Sequence, residues 1–281
     1  MIEPLPDLLI EPIVRMALAE DLGRAGDITA QACIDARASL SVVFATRQAG
    51  VVAGLDCARL AILALDPHAS FEAVVADGQV VMAGAILAKV TGNARAILSA
   101  ERTALNLMGR LSGVATLTRA YVDLVEGTGA RIVDTRKTTP GLRHLEKYAV
   151  RCGGGVNHRF GLDDAILIKD NHVAACGGVS EALTRARAAA GHLTKVELEV
   201  DSLEQLAEAL PHGADVIMLD NFSPDDLKTA VALAGGKVVL EASGGVNLQT
   251  VRAIAESGVQ VISVGALTHS APVLDIGLDA V

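Results

Sequence analysis

The sequence predicts an α/β protein in two parts, a small N-terminal α+β domain followed by a short or open α/β barrel of parallel strands. Three observations predict it. The second half alternates strand-like apolar runs with amphipathic helical stretches, the pattern of parallel strands wrapped by helices. The first half carries short Val- and Ile-rich runs broken by Gly and Asp-Gly. Apolar residues make up 51 % of 281 residues while aromatics make up only 2 %, so the chain can bury a large core, and that core is aliphatic.

Each element follows in order. Residues 12–22 (PIVRMALAEDL) place apolar side chains at helical spacing. Residues 40–54 and 71–90 read as short strands, with a helix over 58–65 between them. A longer helix over 99–112 sets Ala104, Leu107, Met108 and Leu111 on one face at i, i+3, i+4 and i+7, and turns Arg102, Asn106 and Arg110 elsewhere. Strands then begin near Arg131, Ala165, Lys195, Asp215, Lys237 and Val261. The intervening helices include 202–210, 223–234 and 247–257, with Ser202, Ser223 and Asn247 as N-caps. Six strands in about 150 residues fall short of an eight-fold barrel, which averages about 250. A doubly wound open sheet is the competing layout. The domains predicted are 1–115 and 116–270, and the tail 271–281 is a candidate to join the first.

Composition narrows the function. Lys plus Arg is 24 and Asp plus Glu is 33, a net charge of −9, which disfavours a surface for tracking nucleic acid. The chain has no Trp, so base-stacking platforms are not expected. The longest stretch without a charged residue, 257–274, contains Gln260, Ser263, Thr268, His269, Ser270 and Pro272. It reads as a buried strand plus a loop rather than a span. The N-terminus MIEPLPDLLIEP has no basic region of a signal peptide. Cys33, Cys57, Cys152 and Cys176 form no CxxC motif. A reduced, cytoplasmic setting is expected, with no membrane partner.

In parallel α/β architectures function collects where strands end. The strand ends here are polar. Thr135, Arg136 and Lys137 follow RIVD, and Lys169, Asp170, Asn171 and His172 follow AILI. Glu199 and Asp220 end neighbouring strands. From 131 to 172, eight basic residues face five acidic ones, so this segment is +3 inside a chain whose remainder is −12. A cationic pocket in an acidic protein is what a small, strongly anionic ligand requires; solvated ion pairs are the alternative. Ser243-Gly244-Gly245 is expected to open a helix after a strand and present N–H groups to phosphate, and Gly265-Ala266 to do the same. Ordinary turn chemistry is the other reading. Glu199 and Asp220 suggest Mg²⁺ held with phosphate oxygens, or counter-ions to Lys169 and Arg159.

At this point the motifs form a pattern. ALAEDLGRAGDIT (17–29), ERTALNLMGRLSGVAT (101–116), DTRKTTPGLRHLEKYAV (134–150), GGGVNHRFGLDDAILIKDNH (153–172), VELEVDSLEQ (196–205), IMLDNF (217–222), EASGGV (241–246) and ISVGALTHS (262–270) occur in order. The sequence closely resembles the quinolinate phosphoribosyltransferase family, also called carboxylating nicotinate-nucleotide pyrophosphorylases. The resemblance implies an N-terminal α/β sandwich-like domain plus an incomplete α/β barrel. It implies transfer of phosphoribosyl from 5-phosphoribosyl-1-pyrophosphate to quinolinate with loss of CO₂, giving nicotinate mononucleotide for NAD synthesis. Mg²⁺ is the implied cofactor, held by Glu199 and Asp220. A homodimer is implied, with Arg102 supplied across the interface. Arg102, Arg136, His158 and Arg159 would clamp the two quinolinate carboxylates, and Lys137 and Lys169 would face pyrophosphate or carboxylate oxygens. Ser243, Gly244, Gly245, Val264, Gly265 and Ala266 would hold the 5′-phosphate, with His172 and His269 as lesser candidates. Three other readings are a Schiff-base sugar-phosphate aldolase using Lys169, a related barrel protein associated with molybdate uptake, and a non-catalytic anion-binding protein.

Overall fold

The structure is a computed structural model, and it describes residues 2–281. The first elements are α1 (Asp7–Leu22), α2 (Ile28–Cys33), β1 (Ser39–Thr46), β2 (Gly50–Val51) and α3 (Leu55–Leu65). They are followed by β3 (Ser70–Ala73), β4 (Val80–Val81), β5 (Ile86–Asn93) and the long α4 (Ala94–Leu124). Then come β6 (Arg131–Val133), α5 (Arg143–Cys152), β7 (Ile166–Ile168), α6 (Asp170–Cys176) and α7 (Val179–Ala189). The chain continues through β8 (Val196–Val200), α8 (Leu203–Ala209), β9 (Val216–Asp220) and α9 (Pro224–Ala234). It ends with β10 (Val239–Ser243), α10 (Val251–Ala255), β11 (Val261–Ser263), α11 (Ala266–His269) and β12 (Ile276–Ala280). No helix among the described residues is long and apolar enough to cross a membrane.

The chain divides into two compact units. The first holds the residues up to 119 together with 138–154 and 267–281. Its four-stranded antiparallel sheet runs β12-β1-β5-β3. Val42, Phe44, Ala88 and Val90 are buried in it, as alternation along half-buried strands requires, and Leu87 is buried at the irregularity where the β1–β5 register shifts. Asp27 caps α2, accepting from the Ala30 N–H at 2.9 Å. The helix predicted over 99–112 extends further at both ends. Its apolar face continues through Ile97 and Ala100 on one side and Val114 and Ala115 on the other, all buried. Ser112-Gly113 does not stop it, because that pair faces packing rather than a turn. The Ser112 hydroxyl accepts from the Ala53 N–H (3.0 Å) and donates to the Ala53 carbonyl (3.1 Å). A Cβ at Gly113 would sit 1.9 Å from the Pro272 carbonyl oxygen, so only glycine admits the C-terminal tail at that distance.

Residues 138–154 cluster with this first unit, whereas a boundary at 115/116 leaves them with the barrel. The cause is what α5 buries. Glu146 pairs with Arg110 on α4 at 2.8 Å, and the Tyr148 hydroxyl donates to Asp77 at 2.8 Å. Asp77 in turn accepts the Gly54 and Leu55 N–H groups that open α3.

The second unit, 120–137 and 155–266, is the parallel sheet β6-β11-β10-β9-β8-β7. From β7 to β11 every strand pairs with its successor in sequence, and β6 pairs beyond β11. No reversal of order occurs, so this is a barrel-like sheet and not a doubly wound one. It is open between β6 and β7, the two ends of the order. Val196, Leu198, Ile217, Leu219, Leu240 and Ile262 are almost wholly buried. Ser202 and Ser223 cap α8 and α9, accepting from Gln205 and Asp226 N–H groups at 3.3 and 3.2 Å. Asn247 does not cap a helix directly. Its side chain accepts the Gln249 and Thr250 N–H groups in a turn that precedes α10.

Candidate active site

Side chains pointing into a parallel barrel recur every second residue along each strand. Two levels result. Leu167, Glu197, Met218 and Glu241 lie one step down their strands, and Lys169, Glu199, Asp220 and Ser243 lie at or just past the strand ends. A cavity of about 440 Å³ opens here. Of the sequence-predicted residues, Thr135, Arg136, Lys137, His158, Arg159, Lys169, Glu199, Asp220 and Ser243 all line it. Leu167, Met218, Glu241 and Ser263 line it as well, and sequence reasoning did not place them there.

The cationic side has donors to spare. Arg136 and Arg159 each carry a buried Nε without a hydrogen-bond partner in the protein. Arg159 donates through Nη1 to the Ala165 carbonyl at 3.1 Å. Burial first, and the neighbouring Arg136 charge second, lower the pKa of the Arg159 guanidinium. An unmet buried guanidinium N–H is costly, and two in one cavity mark a place for an anion. Lys169 Nζ lies 2.5 Å from Glu199 Oε2, so it meets this cavity paired with a carboxylate.

The acidic side is held by the backbone. Asp220 ends β9 and accepts from Asn221 Nδ2 at 2.7 Å. Asn221 has φ 59°, the one non-glycine residue with positive φ among those described, and its N–H donates to the Ser243 carbonyl at 2.9 Å. Gly244, at φ 90°, has no room for a side chain, since a Cβ would meet Asn221 Oδ1 at 2.1 Å. Glu199 and Asp220 are the hard oxygen donors that Mg²⁺ takes, on adjacent strands of one cavity.

A second group sits deeper. Asp134, fully buried, accepts from Asn157 Nδ2 (2.6 Å) and from the His158 N–H (2.9 Å). That fixes the backbone of His158. His158 Nδ1 accepts from the Arg159 N–H at 2.8 Å, so the ring proton is on Nε2. Nε2 lies 3.0 Å from Glu197 Oε2 and 3.7 Å from Glu241 Oε1. Burial, and then the Glu197 charge, push the Glu241 carboxyl up to about 7. The three residues bring ligand-type atoms within 4.8 Å of one another. Mg²⁺ prefers oxygen and keeps several waters, which a buried nook with an imidazole nitrogen suits poorly.

Other predicted residues lie apart from this cavity. Arg102 is in the first unit, beside Leu105, Asn106 and 273–276. Gly244, Gly245, Val264, Gly265 and Ala266 are outside the cavity lining, though they adjoin Ser243 and Ser263, which line it. The expected helix directly after Ser243-Gly244-Gly245 is absent. The Asn247 turn intervenes, and α10 starts only at Val251. His172 Nδ1 accepts the Lys169 N–H at 2.9 Å and so serves the turn into α6. His269 Nδ1 is bonded to Ser270 Oγ at 2.6 Å in the first unit. Charge counting overstated the pocket too. Of the eight basic residues in 131–172, four line it. Arg143 instead donates to Thr138 Oγ1 at 3.0 Å, Lys147 is 1 % exposed, and Arg151 lies 5.4 Å from the Tyr148 ring centroid. Glu241 did carry a signal, a lone acid at an inward position inside the apolar run VVLEA, whereas Glu197 shares VELEV with Glu199 and does not stand out.

Known proteins match the whole of this architecture. The quinolinate phosphoribosyl transferase N-terminal domain matches residues 27–112 and the C-terminal domain matches 114–279. A nicotinate-nucleotide pyrophosphorylase [carboxylating] of Mycobacterium leprae is 49 % identical, covering 95 % of this chain and 95 % of its own. A probable nicotinate-nucleotide pyrophosphorylase [carboxylating] of Bacillus subtilis is 45 % identical, covering 97 % of this chain and 93 % of its own. The solved nicotinate-nucleotide pyrophosphorylase of Francisella tularensis superposes with a TM-score of 0.95 at 43 % identity, covering 100 % of this chain and 99 % of its own. With both domains matched in order and relatives aligned almost end to end, this chain belongs to the quinolinate phosphoribosyltransferase family.

Proposed function

We propose that this enzyme joins quinolinate to 5-phosphoribosyl-1-pyrophosphate and releases pyrophosphate and CO₂, forming nicotinate mononucleotide for NAD synthesis. The observation that carries this reading is one cavity holding two guanidinium groups with unmet buried N–H donors beside a Lys–Glu pair and a second strand-end carboxylate. Quinolinate is a pyridine dianion. Arg136 and Arg159 suit its carboxylates, because planar guanidinium forks bind such groups in pairs. His158 has both ring nitrogens engaged within the protein and is better suited to position its neighbours than to clamp a carboxylate.

The chemistry follows from charge. As pyrophosphate leaves, negative charge builds on its oxygens and positive charge on the ribose carbon. Lys137 and Lys169 meet the first, and Glu199 and Asp220 tolerate the second. Holding the pyridine nitrogen against that carbon replaces a bimolecular encounter by a positioned one. The positive charge of the resulting pyridinium then stabilises the electron pair that CO₂ leaves on the neighbouring ring carbon. Glu199 and Asp220 are the residues that would hold Mg²⁺, which when bound supplies charge neutralisation for the pyrophosphate oxygens. The four cysteines are free thiols, two of them buried, which suits a reducing cytoplasmic setting.

Carboxyl-labelled quinolinate tests the reading. Purified enzyme with Mg²⁺ releases labelled CO₂ only when phosphoribosyl pyrophosphate is also present; no release at saturating substrates refutes it. Nicotinate lacks the second carboxylate. In a calorimetric titration it binds far more weakly than quinolinate, because one guanidinium is left unpaired.

Arg102 completes this reading from a second subunit of a homodimer. R102A and K169M enzymes are each inactive alone under this arrangement. Mixed one to one and allowed to exchange, they regain about a quarter of wild-type activity, since half the dimers are mixed and each has one intact site. No recovery after verified exchange means that Arg102 does not act across subunits.

A further inference from the structure

One step of the proposed reaction has no assigned residue. When CO₂ departs, the ring carbon keeps an electron pair and must gain a proton. The cavity floor holds a candidate. Glu197 and Glu241 are 7 % and 3 % exposed, on β8 and β10, in an otherwise apolar level of the barrel. Each has a buried oxygen without a hydrogen-bond partner. A single imidazole N–H, His158 Nε2, lies between them, nearer Glu197. Two carboxylates this close in a buried site do not both stay ionised. Asp134, just past β6, adds a third negative charge in the neighbourhood, while the Ser263 hydroxyl on β11 donates to the Ala242 carbonyl at 3.4 Å. His158 Nε2 sits 3.0 Å from Glu197 but 3.7 Å from Glu241, so Glu241 is the less well partnered of the two, and burial and the neighbouring charge raise its pKa. Of the two acids only Glu241 lines the cavity.

We infer that Glu241 is the catalytic acid that protonates the pyridine carbon left by CO₂, with His158 and Glu197 as the pair that positions it. This rests on the reaction proposed above. The balance is simple. The bond from ring carbon to carboxyl carbon breaks, CO₂ leaves, and the electron pair remains on the ring carbon. That pair takes the Glu241 proton to form a C–H bond before CO₂ can add back; without the proton the carboxylated form is regained, so net CO₂ release slows. Glu241 is left as a carboxylate and recovers its proton from water.

Single-turnover kinetics of wild type and E241Q, following pyrophosphate and labelled CO₂ separately, tests it. Glutamine keeps the shape but has no acidic proton. E241Q is expected to release pyrophosphate near the wild-type rate and CO₂ about 10²-fold more slowly or worse. The still-carboxylated mononucleotide then accumulates and is seen by mass spectrometry. Equal rates for both products in E241Q and wild type, or equal slowing of both, overturn the assignment. If E241Q does not fold, the wild type decides. Its CO₂ step falls as pH rises past about 7, because the acid form is lost there, while the pyrophosphate step does not follow. A CO₂ step flat from about pH 6 to 9 overturns it. Failure of wild type to form pyrophosphate from the two substrates would instead refute the reaction itself.

Discussion

K169M lowers kcat by about 10²–10³-fold, and the protein still folds. Lys169 follows β7 directly, with its side chain 47 % exposed and its Nζ 2.5 Å from Glu199. It fills no core position, so methionine in its place costs little packing. A partly exposed ion pair adds little stability, and the melting temperature should move by no more than a few degrees. What is lost is a positive charge lining the cavity, which in the proposed reaction meets the pyrophosphate oxygens as they gather charge. A fixed donor aimed at developing charge is worth about 2.7–4 kcal/mol in the transition state. K169R should recover part of the loss. It restores charge, but a planar fork on a longer stem does not reproduce a compact ammonium. Steady-state kinetics beside a thermal melt distinguish this from a folding defect. A K169M enzyme that keeps kcat within about threefold would remove Lys169 from the chemistry.

The difference between legible and illegible parts of this protein is local against non-local. Each barrel strand could be read because a short Val/Ile run is followed within a few residues by its polar end, as in RIVDTRK or AILIKD. Those ends carry Arg136, Lys137, Lys169, Glu199 and Asp220, and all five line one cavity. The acid pair one level down the strands could not be read this way. Glu197 and Glu241 are 44 residues apart, and each alone looks like a tolerated charge in a strand. Only the order β10-β9-β8, with His158 arriving from another segment, makes them neighbours. The basic run 131–172 was legible only in part, for the opposite reason. Its charge is a property of the sequence segment, but α5 takes Arg143, Lys147 and Arg151 into the first unit. Gly244 was read as a phosphate contact, and what the structure shows there is a packing demand. Asn221 occupies the space a Cβ would need, a contact between two loops that no single motif contains.

Glu146 carries the largest expected effect on stability. Its side chain is fully buried in α5. One oxygen, Oε1, accepts Arg110 Nη2 at 2.8 Å, Arg110 Nε at 3.1 Å and the Thr139 hydroxyl at 2.7 Å. The other, Oε2, accepts the Thr139 N–H at 2.9 Å. Arg110 continues the network, donating Nη1 to the Ala271 carbonyl at 3.0 Å and Nη2 to the Thr268 carbonyl. The pair thus ties α4, α5 and the C-terminal tail within the first unit. E146A removes the only carboxylate among these contacts and leaves the Arg110 charge, only 21 % exposed, facing backbone carbonyls. Breaking a buried pair from one side costs about 3–5 kcal/mol, enough to lower the melting temperature of a chain this size by roughly 10 °C. The penalty comes mostly from the stranded charge, so the double variant R110M/E146L should be less destabilised than the two single losses combined. Denaturant unfolding of wild type, R110M, E146L and R110M/E146L gives the coupling directly. If the single losses simply add, the two side chains do not act as a buried pair, and the attachment of α5 and the tail to α4 must rest on apolar packing instead.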